Sequence, residues 1–231
     1  MDAVGKPFVV IKENHTHQQA YFLLEHFAEP KFVYQVRDPR DYVLSCKRVS
    51  RLLPHYGSVS GAVRVWNDDQ RGALNIVYAL PASRSFMLRY EDLLADPESV
   101  LRALCQFLDV PYEAGMLRFH EKPAAKSNPA YWKNLAQPLL HRNVRKYRTG
   151  LLRLEIRTVE HRTGELMRRL GYEPDLLHPG VFARVAIILY ELLGSLRWKL
   201  MAPFRKRRDR QSGWLPRGHA ARGKSAIRYP Y

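Results

Sequence analysis

The segment KFVYQVRDPRDYVLSCKR, from Lys31 to Arg48, decides the fold of this chain. It opens with an apolar run at residues 32–36, which predicts a short buried strand. A charged turn, RDPRD at residues 37–41, follows directly, and the apolar positions after it recur at helical spacing. A strand that ends in an arginine and leads into a helix is typical of ligand sites in α/β proteins, because strand ends and helix N-termini face the ligand there.

Two polar residues of this segment are candidates for binding one phosphate. Arg37 stands at the end of the predicted strand, and Ser45 lies in the helix that follows. Arginine suits the task because its planar guanidinium donates two parallel hydrogen bonds to a phosphate. The alternative is a surface turn in which the four charged residues of RDPRD pair with one another, and exposed ion pairs of this kind contribute little to stability.

A second segment, LRYEDLLADPESVLRALCQFLDVPYE at residues 88–113, repeats the pattern of strand, turn and helix. Residues 84–90 predict a strand that ends at Tyr90. Asp96-Pro97-Glu98 predicts a helix start, because Asp caps a helix and Pro suits the first helical position. The apolar residues after it recur at helical spacing up to residue 108.

These two segments together resemble the signatures of sulfotransferases, which transfer a sulfonate from 3′-phosphoadenosine-5′-phosphosulfate (PAPS). RDPRDxxxS after a strand resembles their 3′-phosphate-binding segment, and YEDL-x-x-DP followed by FL-x-x-P resembles their second signature. The resemblance implies that Arg37 and Ser45 hold the 3′-phosphate and that Tyr90 lies against the adenine. It covers about residues 7–173 and predicts a three-layer α/β/α fold with a parallel sheet, like that of P-loop nucleoside triphosphate hydrolases.

A third segment, NVRKYR at residues 143–148, is similar to the basic loop that covers the nucleotide in this family. By that resemblance Arg145 and Lys146, with Arg148 beside them, neutralise phosphate. The alternative is a solvated basic loop. A helix over residues 151–170 follows and ends in the sequence LGY, which also resembles the family.

The first 36 residues carry the expected transfer chemistry. The apolar run before Lys12 resembles the second strand of the family, after which Lys12 would meet charge on the leaving group, and His15 or His17, with Glu13 as a carboxylate alternative, would act as general base. The other interpretation is a loop with two solvent-exposed histidines. No P-x-x-GTT loop, which cradles the 5′-phosphosulfate in the family, is found here. The expected fold is therefore N-terminally incomplete, through a displaced start or because the chain is a noncatalytic remnant.

The C-terminal part of the chain is strongly basic. Of a net charge of +16 over 231 residues, residues 178–231 carry +10, from 12 Lys or Arg against two acidic residues. We therefore expect a sulfotransferase-like domain at 1–177, an apolar or amphipathic helix at 178–203 and a flexible basic tail at 204–231. An apolar helix beside a basic cluster suits an anionic membrane surface, here through residues 181–210. The alternative is a helix docked on the domain with a solvated tail.

Other features narrow the class of protein. The stretch at 218–225 fits G-x-x-x-x-G-K-[ST], but it has no strand before it and only six residues after it, so we interpret it as part of the tail. Cys46 and Cys105 show no metal-ligand spacing and are expected to be buried thiols in a reducing, cytoplasmic compartment, with the chain peripheral at the inner face of the membrane if the helix binds lipid. No metal is expected, and nucleic acid is not an expected partner because no nucleic-acid-binding fold accompanies the charge.

The sequence thus predicts strands near residues 7–12, 31–36 and 84–90, and a loop at 121–142 in which Tyr131 and Trp132 serve as anchors. The expected function is sulfonate transfer from PAPS to a hydroxyl or amine acceptor, such as a glycan or lipid. The rival hypotheses are a noncatalytic protein that binds nucleotide or membrane, and an adaptor that works through its basic tail. Helices are predicted at 16–28, 40–53, 59–80, 97–108, 113–119, 151–170 and 181–202.

Overall fold

A two-stranded parallel sheet lies at the centre of the fold. The computed structural model describes residues 9–12, 15–49, 58–121, 136–176, 180–190 and 192–193. Strand β1 (Phe32–Val36) pairs with β2 (Ser85–Arg89) so that the two strands start and end level with each other. The predicted strands at 31–36 and 84–90 are confirmed, and their carboxyl ends share one edge of the sheet.

The helices alternate with the strands along the chain, as the sequence predicts. Two stretches of 3₁₀-helix, Thr16–Gln19 and Ala114–Glu121, stand where continuous helices were predicted. An additional helix starts at Tyr90, which the sequence placed in the strand. Within the described residues the α-helices are α1 (Ala20–His26), α2 (Pro39–Val49), α3 (Val59–Ala79), α4 (Tyr90–Ala95), α5 (Pro97–Leu108), α6 (Tyr147–Gly150), α7 (Arg153–Arg169) and α8 (181–190, with 192–193 also helical).

Helices cover both faces of the sheet. On one face Tyr34 and Val36 of β1 pack with Trp66 of α3 and Met167 of α7 in a buried cluster. On the other face the ring of Phe86 in β2 lies 5.3 Å from that of Phe107 in α5. Helix, sheet and helix therefore form three layers, and the predicted α/β class with a parallel sheet is confirmed.

A second buried cluster joins helices α2, α3, α6 and α7. Its close packing depends on Gly150, because a Cβ added there would lie 2.6 Å from a methyl carbon of Leu44. Both cysteines are buried and unpaired, as predicted. Since α2 and α6 pack together here, the segment that leads into α6 is brought to the end of β1.

One predicted strand is wrong over the residues that the structure describes. Residues 9–12 are irregular, and Val9, Val10 and Ile11 are exposed. A strand needs a neighbour for its backbone hydrogen bonds, and in the described residues β1 and β2 pair only with each other. Several predicted features lie outside the described residues: Glu13, Tyr131, Trp132, the P-loop-like stretch at 218–225 and the basic tail. In the part of the chain that is described, no helix is both long enough and apolar enough to span a membrane.

Candidate functional site

The turn after β1 is held in place from two sides. On one side, the indole Nε1 of Trp66 in α3 donates to the carbonyl oxygen of Arg37 over 3.1 Å. On the other, the backbone N–H of Asp38 donates to Oε1 of Glu91 in α4 over 3.0 Å. The second oxygen of Glu91 accepts from the Tyr172 hydroxyl at 2.6 Å. The turn is therefore tied to both layers of helices.

Half of the charged turn serves the core and not a ligand. Arg40 is 4% exposed and donates to Asp38 through Nε at 3.0 Å and through a terminal nitrogen at 2.7 Å. Its other terminal nitrogen donates to Glu160 of α7 over 2.7 Å. Burial alone would lower the pKa of Arg40, but its hydrogen bonds to Asp38 and Glu160 and the charge of Asp38 together outweigh burial, so the pKa is raised. The alternative interpretation of the turn, in which its charged residues pair with one another, is therefore correct for Asp38 and Arg40. This pair is buried, however, and not exposed at the surface.

Asp41 positions the segment before α6. It is buried in the first turn of α2, and its Oδ1 accepts the backbone N–H of Tyr147 at 2.9 Å. Burial raises the pKa of Asp41, whereas the Tyr147 amide and the charge of Arg37 oppose that rise. Through this contact residues 143–147, far away in sequence, are brought to the end of β1.

Arg37 lies in a different environment from Arg40. Its guanidinium carbon is 4.7 Å from the centre of the Tyr90 ring, within the range of a cation–π contact. One terminal nitrogen donates to the carbonyl of Asn143 at 3.1 Å, and the side-chain amide of Asn143 donates to the Tyr90 hydroxyl at 2.7 Å. The Nε of Arg37 is buried and has no hydrogen-bond partner among the described residues. We refer to Arg37, Tyr90 and Asn143 as the strand-end cluster.

Three further residues were predicted to bind phosphate, and two of them, Arg145 and Lys146, lie within three residues of Asn143 in the chain. Ser45 is half-buried in α2, one helical turn after Asp41. Arg145 is exposed and has left-handed backbone geometry, with a φ of 54°. Lys146 lines an open cleft together with Asn143 and residues 140–142. The structure brings this basic segment beside the strand-end cluster, and the phosphate roles of Ser45, Arg145 and Lys146 stay predictions.

The two candidate bases form a separate group with Asp69 of α3. Nδ1 of His15 is hydrogen-bonded to Oδ1 of Asp69, and Nδ1 of His17 lies 4.0 Å from the same oxygen. Burial lowers the pKa of His17, with Asp69 acting in the opposite direction. A Cβ at Gly72 would lie 2.2 Å from the His17 ring, so this glycine lets the turn approach α3. Neither histidine is the freely solvated side chain of the alternative interpretation.

Helix α3 supports both groups. Trp66, which holds the Arg37 carbonyl, and Asp69, which holds His15, are three residues apart and so lie on one face of the helix in successive turns. Among the described residues no hydrogen bond or ion pair joins His15 or His17 to the strand-end cluster. Lys12 lies in the exposed, irregular stretch before the histidines.

Sequence reasoning gave no role to Glu91, Asn143 or Tyr172. Each stands inside a segment that it singled out, namely YEDL, NVRKYR and LGY. Burial raises the pKa of the Tyr172 hydroxyl, and its hydrogen bond to Glu91 adds to the rise. The motifs contain these residues, but motifs do not specify contacts between distant segments. Asn143 and Tyr90 are 53 residues apart in the chain, and Tyr172 and Glu91 are 81 residues apart.

The fold resembles two solved sulfotransferase domains. One comes from the curacin biosynthetic pathway; it matches with a TM-score of 0.57 and 24% identity, over 70% of this chain and 59% of that one. The other comes from the Synechococcus PCC 7002 olefin synthase, with a TM-score of 0.55 and 21% identity over 69% and 56% of the two chains. The architecture around the strand-end cluster is thus that of a sulfotransferase domain.

Sequence relatives lead to the same family. Residues 3–114 match the model of a family described as the sulfotransferase family. The chain is 30% identical over 188 residues to the omega-hydroxy-beta-dihydromenaquinone-9 sulfotransferase of Mycobacterium tuberculosis, covering 74% of this chain and 45% of that protein. It is 29% identical over 126 residues to the protein-tyrosine sulfotransferase of Drosophila melanogaster, covering 53% of this chain and 25% of that protein. The chain is therefore similar to the sulfotransferase family over most of its length, and it spans less than half the length of these two relatives.

Proposed function

We propose that this chain binds PAPS at the strand-end cluster and transfers its sulfonate to a hydroxyl or amine acceptor. Arg37, assisted by Ser45, binds the 3′-phosphate, and the ring of Tyr90 lies against the adenine. Arg145 and Lys146 add positive charge beside the site. The similarity to the sulfotransferase family supports the reaction class, and the geometry at the end of β1 supports the donor.

One observation carries the proposal: Arg37 keeps its charge available while the next charged residues are neutralised. Asp38 and Arg40 are paired in the core, whereas Arg37 has contacts to a carbonyl and a ring, and its Nε has no partner among the described residues. A buried N–H without a partner is costly, and a phosphate oxygen would satisfy it. The cation and the adjacent aromatic face match the two halves of an adenosine phosphate.

His15 is the better candidate for the general base. Its hydrogen bond to Asp69 through Nδ1 leaves Nε2 to accept a proton, which is how a carboxylate orients a catalytic imidazole. In the proposed transfer the acceptor oxygen or nitrogen attacks sulfur and loses its proton to Nε2. The bond between sulfur and the 5′-phosphate oxygen breaks, and 3′-phosphoadenosine-5′-phosphate leaves, with Lys12 near the developing charge. Two relatives are named for a tyrosine and for an omega-hydroxy compound, which favours hydroxyl acceptors.

Calorimetric titration with 3′-phosphoadenosine-5′-phosphate tests the site, with adenosine monophosphate as the ligand control. We expect selective binding, and we expect Arg37→Ala to weaken it by about 10-fold or more, because a charge-assisted hydrogen bond is worth about 1.5–3 kcal/mol. Arg102→Ala is the matched protein control: Arg102 also lies over a tyrosine, 4.1 Å from the Tyr112 ring, but is exposed on α5. Equal affinity for the two nucleotides, or equal losses in the two variants, would contradict the proposal.

Nucleotide binding without transfer is the second candidate function. The contacts of the two histidines favour it. Within the described residues His15 and His17 contact Asp69 and each other, and they do not contact the strand-end cluster. Incubation with sulfur-labelled PAPS and a panel of phenols and alcohols separates the two functions. Labelled product supports transfer, whereas selective nucleotide binding without labelled product supports the second candidate.

A further inference from the structure

Helix α8 exposes a continuous apolar stripe. At about 100° per residue, the exposed apolar side chains of residues 181–193 fall within an arc of about 140°, as wide as the face that a surface helix normally buries. Phe182 is 93% exposed. The stripe consists of Val181, Phe182, Val185, Ile188, Leu189, Leu192 and Leu193.

The opposite side of α8 is fastened to the domain. Ile187 is 2% exposed, and the Tyr190 hydroxyl donates to Oε1 of Glu155 over 2.9 Å. Glu155 is itself buried in α7 and accepts from Lys47 at 2.7 and 2.8 Å. The helix therefore lies along the surface of the domain, and the stripe faces away from it. The docked helix that the sequence left as an alternative is present, together with an apolar outer face.

The charge of the chain indicates what covers this stripe. Arg184 is exposed, and at 100° per residue it stands at the border of the stripe. The sequence Arg205-Lys206-Arg207-Arg208 follows α8, and residues 178–231 carry 12 basic and two acidic residues. Pairing of two copies through this stripe would bring together two chains that each carry a net charge of +16, and like charges repel. An anionic lipid surface instead attracts basic segments and takes up an apolar helix face.

We propose that the stripe of α8 inserts into the interface of an anionic lipid bilayer, to which the positive charge of the C-terminal sequence attracts the chain. The apolar side chains enter the acyl boundary, while Ile187 and Tyr190 keep the domain attached to the helix. The helix lies in the plane of the membrane surface. This docking does not depend on the proposed function, because it requires neither nucleotide nor acceptor.

Vesicle co-sedimentation of the full chain tests the docking. The vesicles contain phosphatidylcholine either alone or with one third phosphatidylglycerol. We expect strong binding to the anionic vesicles only, and a loss of about 10-fold or more for Phe182→Glu/Leu189→Glu, because charged side chains are costly at the acyl boundary. The matched control is Tyr21→Glu/Tyr78→Glu, which adds the same charge at exposed aromatic positions of α1 and α3 and is expected to retain binding within about 2-fold.

Three results would overturn the proposal. One is a folded chain that binds neither kind of vesicle. Another is an equal loss in the two double variants, which would show that net charge alone sets the affinity. The third is a dimer, seen by light scattering without lipid and removed by Phe182→Glu/Leu189→Glu, since a second copy would then cover the stripe. Circular dichroism of each variant establishes that it is folded; all four substituted side chains are more than half exposed.

Discussion

Arg40→Met isolates the cost of leaving the buried carboxylates of Asp38 and Glu160 without their cation. The side chain of Arg40 makes three hydrogen bonds, two to Asp38 and one to Glu160, and these carboxylates are buried. Methionine keeps much of the apolar stem but removes every donor. Breaking a buried ion pair from one side typically costs about 3–5 kcal/mol, because the remaining charge is uncompensated.

The remaining contacts place the expected loss at the lower end of that range. Asp38 keeps the backbone N–H of residue 40 at 2.8 Å, and Glu160 keeps the N–H groups of Asp175 and Leu176 at 2.8 and 3.1 Å. We therefore expect the free energy of unfolding to fall by about 3–4 kcal/mol, a large share of the 5–15 kcal/mol typical of a domain. Urea denaturation followed by circular dichroism measures the change.

Two controls make this prediction specific. Arg169→Met removes an exposed pair with Glu165, at 2.6 Å, and should cost less than about 0.5 kcal/mol. Adding Asp38→Asn and Glu160→Gln to Arg40→Met should recover about 1 kcal/mol or more, since no bare charge is then left in the core. The reasoning is refuted if Arg40→Met stays within about 1 kcal/mol of the parent chain, or if the triple variant is less stable than the single one.

Two more predictions concern the turn that carries the candidate bases. Gly72→Ala should destabilise the chain by about 1–3 kcal/mol in urea denaturation, because the new Cβ would lie 2.2 Å from the His17 ring. The control Gly164→Ala places its Cβ 3.4 Å from an Arg168 nitrogen and should be neutral or stabilising by up to about 1 kcal/mol. Equal effects of the two substitutions would contradict the packing argument. Burial holds the pKa of His17 below its ordinary value of 6.5, so near that pH the unfolded chain binds more protons than the folded chain. The contribution of His17 to the free energy of unfolding should therefore be fully present above pH 6.5 and should fall as the pH drops below it. His17→Gln should flatten this fall between pH 7 and pH 5, while His26→Gln, on an exposed side chain, should leave it unchanged; an unchanged slope in His17→Gln would contradict the assignment.

Much of the fold could be predicted because its decisive signals are local. The apolar runs at β1 and β2, the Asp96-Pro97 start of α5 and the helical spacing in α3 each depend on neighbouring residues. The strand predicted at 7–12 failed over residues 9–12 because a strand depends on a partner that sequence spacing does not specify. Helix α4 was not predicted, because the sequence placed Tyr90 in the strand and the next helix start at Asp96-Pro97.

The candidate site was predictable in part for the same reason. Arg37 and Tyr90 each mark the end of a strand, and parallel strands end at one edge, so their proximity follows from the order of elements. The different environments of Arg37 and Arg40 do not follow from the order of elements, because both are arginines of one five-residue turn. Glu160, 120 residues further along the chain, joins Asp38 in holding Arg40 in the core, whereas Arg37 remains at the edge of the sheet.

By itself the sequence determined the class of fold, the family resemblance and the excess of positive charge at the C-terminal end. These follow from periodicity, motif letters and composition, which are properties of short stretches or of sums. The tertiary structure decided which charges are neutralised, that His15 and His17 converge on Asp69, and that α8 has one docked and one exposed side. These features arise from contacts between distant segments, and their energies depend on burial, which only the packed chain defines.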